Sequence, residues 1–272
     1  MEYKQRLQQI RDVMKEQGIT YFFDMTSDPH SSEYLNEYYK TLRWLTGFTG
    51  SNAVIIVTQT EALLWTDSRY FIQAEKQISE EWKLMKMRVE GYLMPNEYLI
   101  QHLTEKDVLG FNHKIIPYHE IFKVAKEKKT TPFIDCDLYS FVYPREFIMK
   151  PVKEFLYHQE SVKYKIERIR KLGEEVVLLT GVDDIMSLFN IRGDDVKMTP
   201  VAFSYAIIKQ NETFLFIGTE EMTKEIQQFE QLKEAEVQVL PYNTFYESLK
   251  IICKGKKVVY DFYTISYISS LH

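Results

Sequence analysis

Side chains able to hydrolyse, transfer groups or hold a metal are present in this sequence, yet few stand at working distances. His113 and His119 are separated by "KIIPY", so they are not the i,i+4 pair that sets two imidazoles on one helix face. Asp135 and Asp137 flank Cys136 in "DCD". Alternate residues share one face of a strand, so these carboxylates either chelate a cation weakly or mark a strand end. A serine nucleophile needs a G-x-S-x-G elbow and a phosphate cradle needs G-x-x-x-x-G-K-[ST]. Neither occurs, and "GFTGS" lacks the lysine that would follow. No catalytic residue and no metal ligand is assigned in this chain.

Two arginines are better placed for binding than for breaking bonds. In "WTDSRYFIQAE", Arg69 offers a planar, bidentate donor suited to a peptide carbonyl or carboxylate, with Tyr70 beside it. The competing reading is an internal Asp67 to Arg69 bridge, with Asp67 as N-cap of the helix that follows. In "NIRGDD", Arg192 either pairs with Asp194, Asp195 or nearby backbone carbonyls, or contacts a ligand. The glycines suit tight turns, because glycine accepts both positive φ and close approach. Gly47 and Gly50 of "LTGFTG", and Gly193 of "LFNIRG" with Asn190 ahead of it, are assigned to such turns.

The elements that must carry these residues occur twice. "RLQQIR" aligns with "KIERIR" at an offset of 159 residues, and Leu45–Gly50 aligns with Leu188–Gly193 at an offset of 143. The difference of 16 residues measures an insertion, placed in the polar and aromatic "MTSDPHSSEYLNEYYKTL". Its neighbourhood holds Tyr34, Tyr38, Tyr39 and Trp44, which fit either a contact surface or a buried helix face. Leu7, Ile10, Val13 and Met14 fall on one face of the first helix, as Ile166, Ile169 and Leu172 do in the second copy. After each hexapeptide a strand hairpin is predicted, "SNAVIIVTQTEALLWTD" and then "VAFSYAIIKQNETFLFIG", followed by alternating helices and strands. The fold class is α/β, two tandem similar domains, each a mixed sheet flanked by helices. Pro144 and Pro151 interrupt regular structure and place the boundary near residue 150, giving domains 1–150 and 151–272.

Composition narrows the classes. A formal charge of −5 gives no broad electrostatic reason to bind nucleic acid or an anionic membrane. No apolar run approaches the roughly 20 residues that span a bilayer, and "MEYKQRLQQIRDVMKEQG" has no signal-peptide core. A cytoplasmic protein is expected. Cys136 and Cys253 lie far apart and read as reduced, structural thiols.

The stretch "DPHSSEYLNEYYKTLRWLTGFTGSNAVIIVTQTEALLWTDSRYFIQAEKQI" resembles the first domain of Xaa-Pro aminopeptidases of the three-domain type, within the creatinase/prolidase superfamily. "IMSLFNIRGDDVKMTPVAFSYAI" resembles the start of their second domain, so the two domains here are expected to be creatinase N-terminal-like. Ser68 stands where that branch usually has glycine, and Thr46 where it often has serine. The resemblance implies a hydrolase that removes the residue preceding a proline. Its chemistry lies in a C-terminal domain, where two Asp, one His and two Glu hold two divalent ions, manganese or zinc, that activate water. The chain stops at "YDFYTISYISSLH", near where the family's second domain ends, so it is expected to lack that domain and to be inactive alone. Arg69, Tyr70 and Arg192 are the implied rim of the peptide site. The implied partners are the C-terminal domain of the same protein, a second copy in a homodimer, and a peptide with proline second. The other function class is a free-standing peptide- or protein-binding module without catalysis.

Overall fold

The structure is a computed structural model and describes residues 2–267. Its contacts divide the chain into two compact units. One comprises Met1–Asp28 with Glu37–Glu146, the other Pro29–Asn36 with Phe147–His272.

The first unit runs α1 (Tyr3–Glu16), β1 (Tyr21–Met25), α2 (Thr41–Thr46), β2 (Val54–Val57), β3 (Ala62–Thr66), α3 (Phe71–Gln77) and β4 (Lys83–Lys86). It continues through α4 (Pro95–His102), β5 (Leu109–Phe111), α5 (Tyr118–Glu127), β6 (Phe133–Asp135) and α6 (Tyr139–Val142). The six strands form one sheet in the order β4-β3-β2-β1-β5-β6. β1 and β3 run antiparallel to β2, whereas β4, β5 and β6 join in parallel. β2 and β3 are buried along their whole length, which explains why "VIIV" and "ALLW" read as apolar runs rather than alternating strands. Leu7, Ile10, Val13 and Met14 of α1 close one face of this core.

The second unit runs β7 (Lys153–Glu154), α7 (Val162–Arg170), β8 (Val176–Leu179), α8 (Val182–Phe189), β9 (Ile191–Arg192), β10 (Ser204–Lys209) and β11 (Thr213–Ile217). It ends with α9 (Glu220–Ile226), α10 (Glu230–Glu234), β12 (Val237–Leu240), α11 (Phe245–Ile252) and β13 (Val258–Val259). Its main sheet has the order β12-β11-β10-β8-β13, which is the order of the first five strands of the other unit, with the same senses. The duplication extends to the last described turn. Asn112 Oδ1 accepts from Lys114 N at 3.0 Å, and Asp261 Oδ1 accepts from Tyr263 N at 2.9 Å, each just after the strand that pairs in parallel with β1 or β8.

Two sequence expectations need correction. Leu172 does not extend the apolar face of α7: the helix stops at Arg170, and Leu172 is 70% exposed in the turn that ends at Gly173, φ +77°. The predicted helix "TKEIQQFEQLKE" is broken into α9 and α10. The insertion also splits. Tyr39 and Trp44 join the core of the first unit, Trp44 stacking on Tyr143 at 4.7 Å, whereas Pro29–Asn36 belongs to the second unit. There His30 is buried, its Nδ1–H donating to Thr180 O at 2.8 Å and its Nε2 accepting from the Tyr242 hydroxyl at 2.9 Å.

Candidate functional site

The repeated hexapeptides turn out to be helix ends. Gly47 follows α2 at φ +79° and Asn190 follows α8 at φ +49°, each a left-handed cap whose N–H returns to the last turn. Gly50 and Gly193 have ordinary φ and are small for another reason. A Cβ on Gly193 would lie 2.8 Å from the Ala202 backbone, and one on Gly50 would strike the Phe48 ring. The first cap leads into a loop that Gln77 ties to α3, its Oε1 accepting from Thr49 N at 2.9 Å.

That loop delivers Asn52 to the end of β3, where a cavity of the first unit opens. The cavity has a volume of about 650 Å³, and its wall includes Asn52, Asp67, Arg69, Arg88 and Asn96. It lies beyond the C-terminal ends of the parallel strands β3 and β4, beside the start of α4, a usual position for ligand crevices in α/β sheets. Asp67 organises one wall. Its carboxylate accepts from Arg69 Nε and Nη2, both at 2.9 Å, from Arg69 N at 3.1 Å and from Asn52 Nδ2 at 2.9 Å. These donors hold Asp67 ionised well below the usual carboxylate range, the Arg69 hydrogen bonds being the largest cause.

The Asp67 to Arg69 bridge therefore exists, but Asp67 is not the N-cap of α3. Tyr70 occupies that position and caps with no side chain, because the turn from Asp67 to Tyr70 intervenes. Arg69 remains 66% exposed, with its guanidinium 5.1 Å from the Tyr70 ring and Nη1 without a partner among the described residues. The Tyr70 hydroxyl is engaged with Ser51 Oγ at 2.7 Å. The result is an outward-facing donor fork, held by an ion pair beside an aromatic ring.

Opposite elements add two residues that the sequence reading missed. Arg88 sits at φ +59° just after β4, a conformation that costs an L-residue about 1–2 kcal/mol, and its side chain has no hydrogen bond or ion pair among the described residues. Asn96, in the first turn of α4, has a buried Oδ1 with no partner among the described residues. The available signal was "RVEGY", a polar turn containing a glycine. Nothing local in it marks Arg88 as the residue forced to positive φ.

Arg192 lies in a different cavity, of about 360 Å³, in the second unit. Its Nη1 donates to Met186 O at 3.1 Å and to Ile191 O at 2.8 Å, and its guanidinium lies 4.4 Å from the Phe155 ring. Of the partners considered, the carbonyls win. The Asp195 carboxylate is buried and instead accepts from Lys150 N at 2.7 Å and Phe203 N at 2.8 Å.

The remaining candidates do not converge. Asp137 bonds Arg145 at 3.1 Å, while Asp135 accepts from His113 N at 2.9 Å, so the "DCD" carboxylates serve separate partners. Burial pushes the Cys136 thiol up to about 12, leaving it an inert thiol. His119 Nε2 lies 3.1 Å from Glu120 Oε1. Among the described residues no three His, Cys, Asp or Glu are placed to hold a metal ion, so these residues do not fit a dinuclear centre. No described helix is long and apolar enough to cross a membrane.

Known proteins match along both units. The description "Creatinase/Prolidase N-terminal domain" fits residues 6–139 and, through a second family model, residues 149–271. Xaa-Pro aminopeptidase 1 of Dictyostelium discoideum is 28% identical over 277 residues, covering 94% of this chain and 44% of its own. Xaa-Pro aminopeptidase app-1 of Caenorhabditis elegans is 31% identical over 245 residues, covering 85% of this chain and 39% of its own. The crystal structure of X-prolyl aminopeptidase from C. elegans, described as a cytosolic enzyme with a di-nuclear active site, superposes with a TM-score of 0.85 at 28% identity. That superposition covers 93% of this chain and 45% of that one. The chain thus spans less than half the length of these relatives.

Proposed function

Both halves of this chain belong to the creatinase/prolidase N-terminal domain family, and from that membership we propose that it is the non-catalytic N-terminal portion of a cytosolic, metal-dependent Xaa-Pro aminopeptidase. The supporting observation is the continuity of the match: one relative, an X-prolyl aminopeptidase, superposes over 93% of the chain and so through both units. In the longer protein, two divalent ions held by donors outside this chain supply the activated water. The residues described here bind and orient the peptide, and the chain supports assembly into a homodimer.

Arg69 is the residue assigned to the peptide rim. Its Nε and one Nη2 hydrogen are spent on Asp67, which fixes the plane of the guanidinium and leaves Nη1 to donate to a peptide carbonyl or carboxylate. Such a contact is made equally in ground and transition states, so it acts on substrate affinity. In the longer protein Arg69→Ala is expected to raise KM about tenfold or more while kcat changes less, because one charged hydrogen bond is worth about 1.5–3 kcal/mol. Steady-state kinetics on a proline-second peptide test this, and an unchanged KM removes Arg69 from the rim. The 272-residue chain alone is expected to leave the same peptide uncut with manganese or zinc added. Hydrolysis that copurifies with it would overturn the assignment.

A further inference from the structure

The short strand pair of the second unit carries a conflict that the fold leaves open. Lys153 of β7 and Arg192 of β9 stand directly opposite one another, and both line the cavity of about 360 Å³. Like charges paired across strands repel. Arg192 spends Nη1 on two backbone carbonyls, and neither it nor Lys153 meets a carboxylate among the described residues. Asp194, on the same wall, pairs with neither. The second observation is apolar. Met198, also on this wall, is 92% exposed at φ +65°, in the turn that Thr199 N closes on Val196 O at 3.1 Å. It fills the third place of that turn, where positive φ ordinarily selects glycine, and backbone strain of this kind collects at functional sites. On the other side of Arg192, Phe155 lies 4.4 Å from the guanidinium and its ring is 6.3 Å from that of Tyr157, which is 90% exposed.

Arginine, methionine and tyrosine are the types enriched where proteins touch. What covers this face must bring an anion to the cation pair and apolar groups to either side of it. A second copy meets that need poorly, because a two-fold contact sets the cations against their own counterparts. The X-prolyl aminopeptidase of C. elegans superposes over 93% of this chain but only 45% of its own, so more than half of such a protein lies elsewhere and needs a surface to pack on. We propose that the β7–β9 face docks the remainder of the longer protein, with a carboxylate of that remainder between Lys153 and Arg192 and apolar side chains over Met198 and Tyr157. The inference rests on the reading of this chain as an N-terminal portion, and it adds the surface that joins that portion to the rest. Arg192, implied by the resemblance as part of the peptide rim, becomes a docking residue.

Hydrogen exchange read by mass spectrometry tests this by comparing the 272-residue chain with the longer protein. Amides of residues 153–157 and 191–199 are expected to exchange about tenfold or more slowly in the longer protein, because packing there suppresses local opening. Lys153→Glu and Met198→Gly together should return those rates to the values of the isolated chain. In the isolated chain the same pair of changes should leave Tm unchanged or raised. The first turns a like-charge pair into an opposite one and the second suits the positive φ, so lost protection cannot come from unfolding. Equal exchange in the two proteins, or protection that survives the double variant, overturns the proposal. So does protection that grows with the concentration of the 272-residue chain alone, which makes the occupant a second copy. Failure of the underlying reading looks different: a longer protein that protects this face yet leaves a proline-second peptide uncut loses the peptidase assignment and keeps the docking surface. A native protein of only 272 residues overturns both.

Discussion

Asp24 shows how a single residue in a sheet can set a pH dependence. It lies on β1, the strand at the centre of the first unit's sheet, and is buried. Its Oδ2 accepts from the Tyr139 hydroxyl at 2.8 Å and is 3.5 Å from Thr41 Oγ1. Burial dominates and raises its pKa to about 7. Asp137 pushes the same way, while the Tyr139 and Met25 hydrogen bonds and the Arg145 charge oppose. An unfolded aspartate titrates near about 3.9, so the stability contributed by Asp24 is fully present below that value and is lost as pH rises through 7. Asp24→Asn, which keeps an acceptor for Tyr139, is expected to flatten stability between pH 5 and pH 8 and to add roughly 1–4 kcal/mol at pH 8. Urea unfolding at the two pH values checks it, and a variant with the wild-type pH slope would clear Asp24 of the effect. In the sequence Asp24 resembles the polar end of "GITYFFD". Its burial depends on Tyr139, 115 positions away, and no local pattern carries that information.

At the scale of elements, the repeated hexapeptides were legible as related turns, but their physical need differs between copies. Gly47 and Asn190 are both left-handed caps, so backbone strain alone would make them interchangeable. They are not, because Asn190 also spends its side chain. Its Nδ2 donates to Glu160 O at 3.0 Å and Gln231 Oε1 at 2.8 Å, and its Oδ1 accepts from Lys165 Nζ at 2.6 Å. Asn190→Gly is therefore expected to cost about 1–3 kcal/mol although glycine suits the backbone, since three part-buried hydrogen bonds are lost. Gly47→Ala should cost about 1–2 kcal/mol through φ alone, because the Tyr3 ring that a new Cβ would meet is partly exposed and can move. Denaturant midpoints of both variants decide the matter. An Asn190→Gly protein as stable as wild type would reduce the second cap to backbone geometry. The succession of helices and strands along the chain was readable as well. It follows from helix and strand periods that repeat in order, whereas the break between α9 and α10 and the early stop of α7 depend on packing that periodicity does not see.

At the scale of the whole molecule, the main division falls between Glu146 and Phe147, and one short upstream segment belongs with the residues that follow it. A boundary near residue 150 follows from Pro144 and Pro151, but Pro29–Asn36 lies far upstream and is nonetheless part of the second unit. The 16-residue surplus announced an insertion there; only the packing of His30 reveals which unit it serves. The imidazole lies 5.0 Å from the Phe203 ring, 4.5 Å from Tyr205 and 5.7 Å from Tyr242, in addition to its hydrogen bonds with Thr180 and Tyr242. Hydrogen bonds of about 1 kcal/mol each and aromatic contacts of about 0.5–1.5 kcal/mol make this short segment a sizeable share of a marginal stability. A fragment of residues 147–272 is thus expected to melt well below the intact chain. A synthetic peptide of residues 27–38 should raise its Tm in a saturable way, as any ligand of the native state does. The same peptide with His30→Ala should raise it less, and His30→Ala in the intact chain should cost about 2–4 kcal/mol. Scanning calorimetry of the fragment with each peptide tests this. If the fragment melts like the intact chain and ignores the peptide, His30 and its segment are passengers on the second unit rather than part of its core.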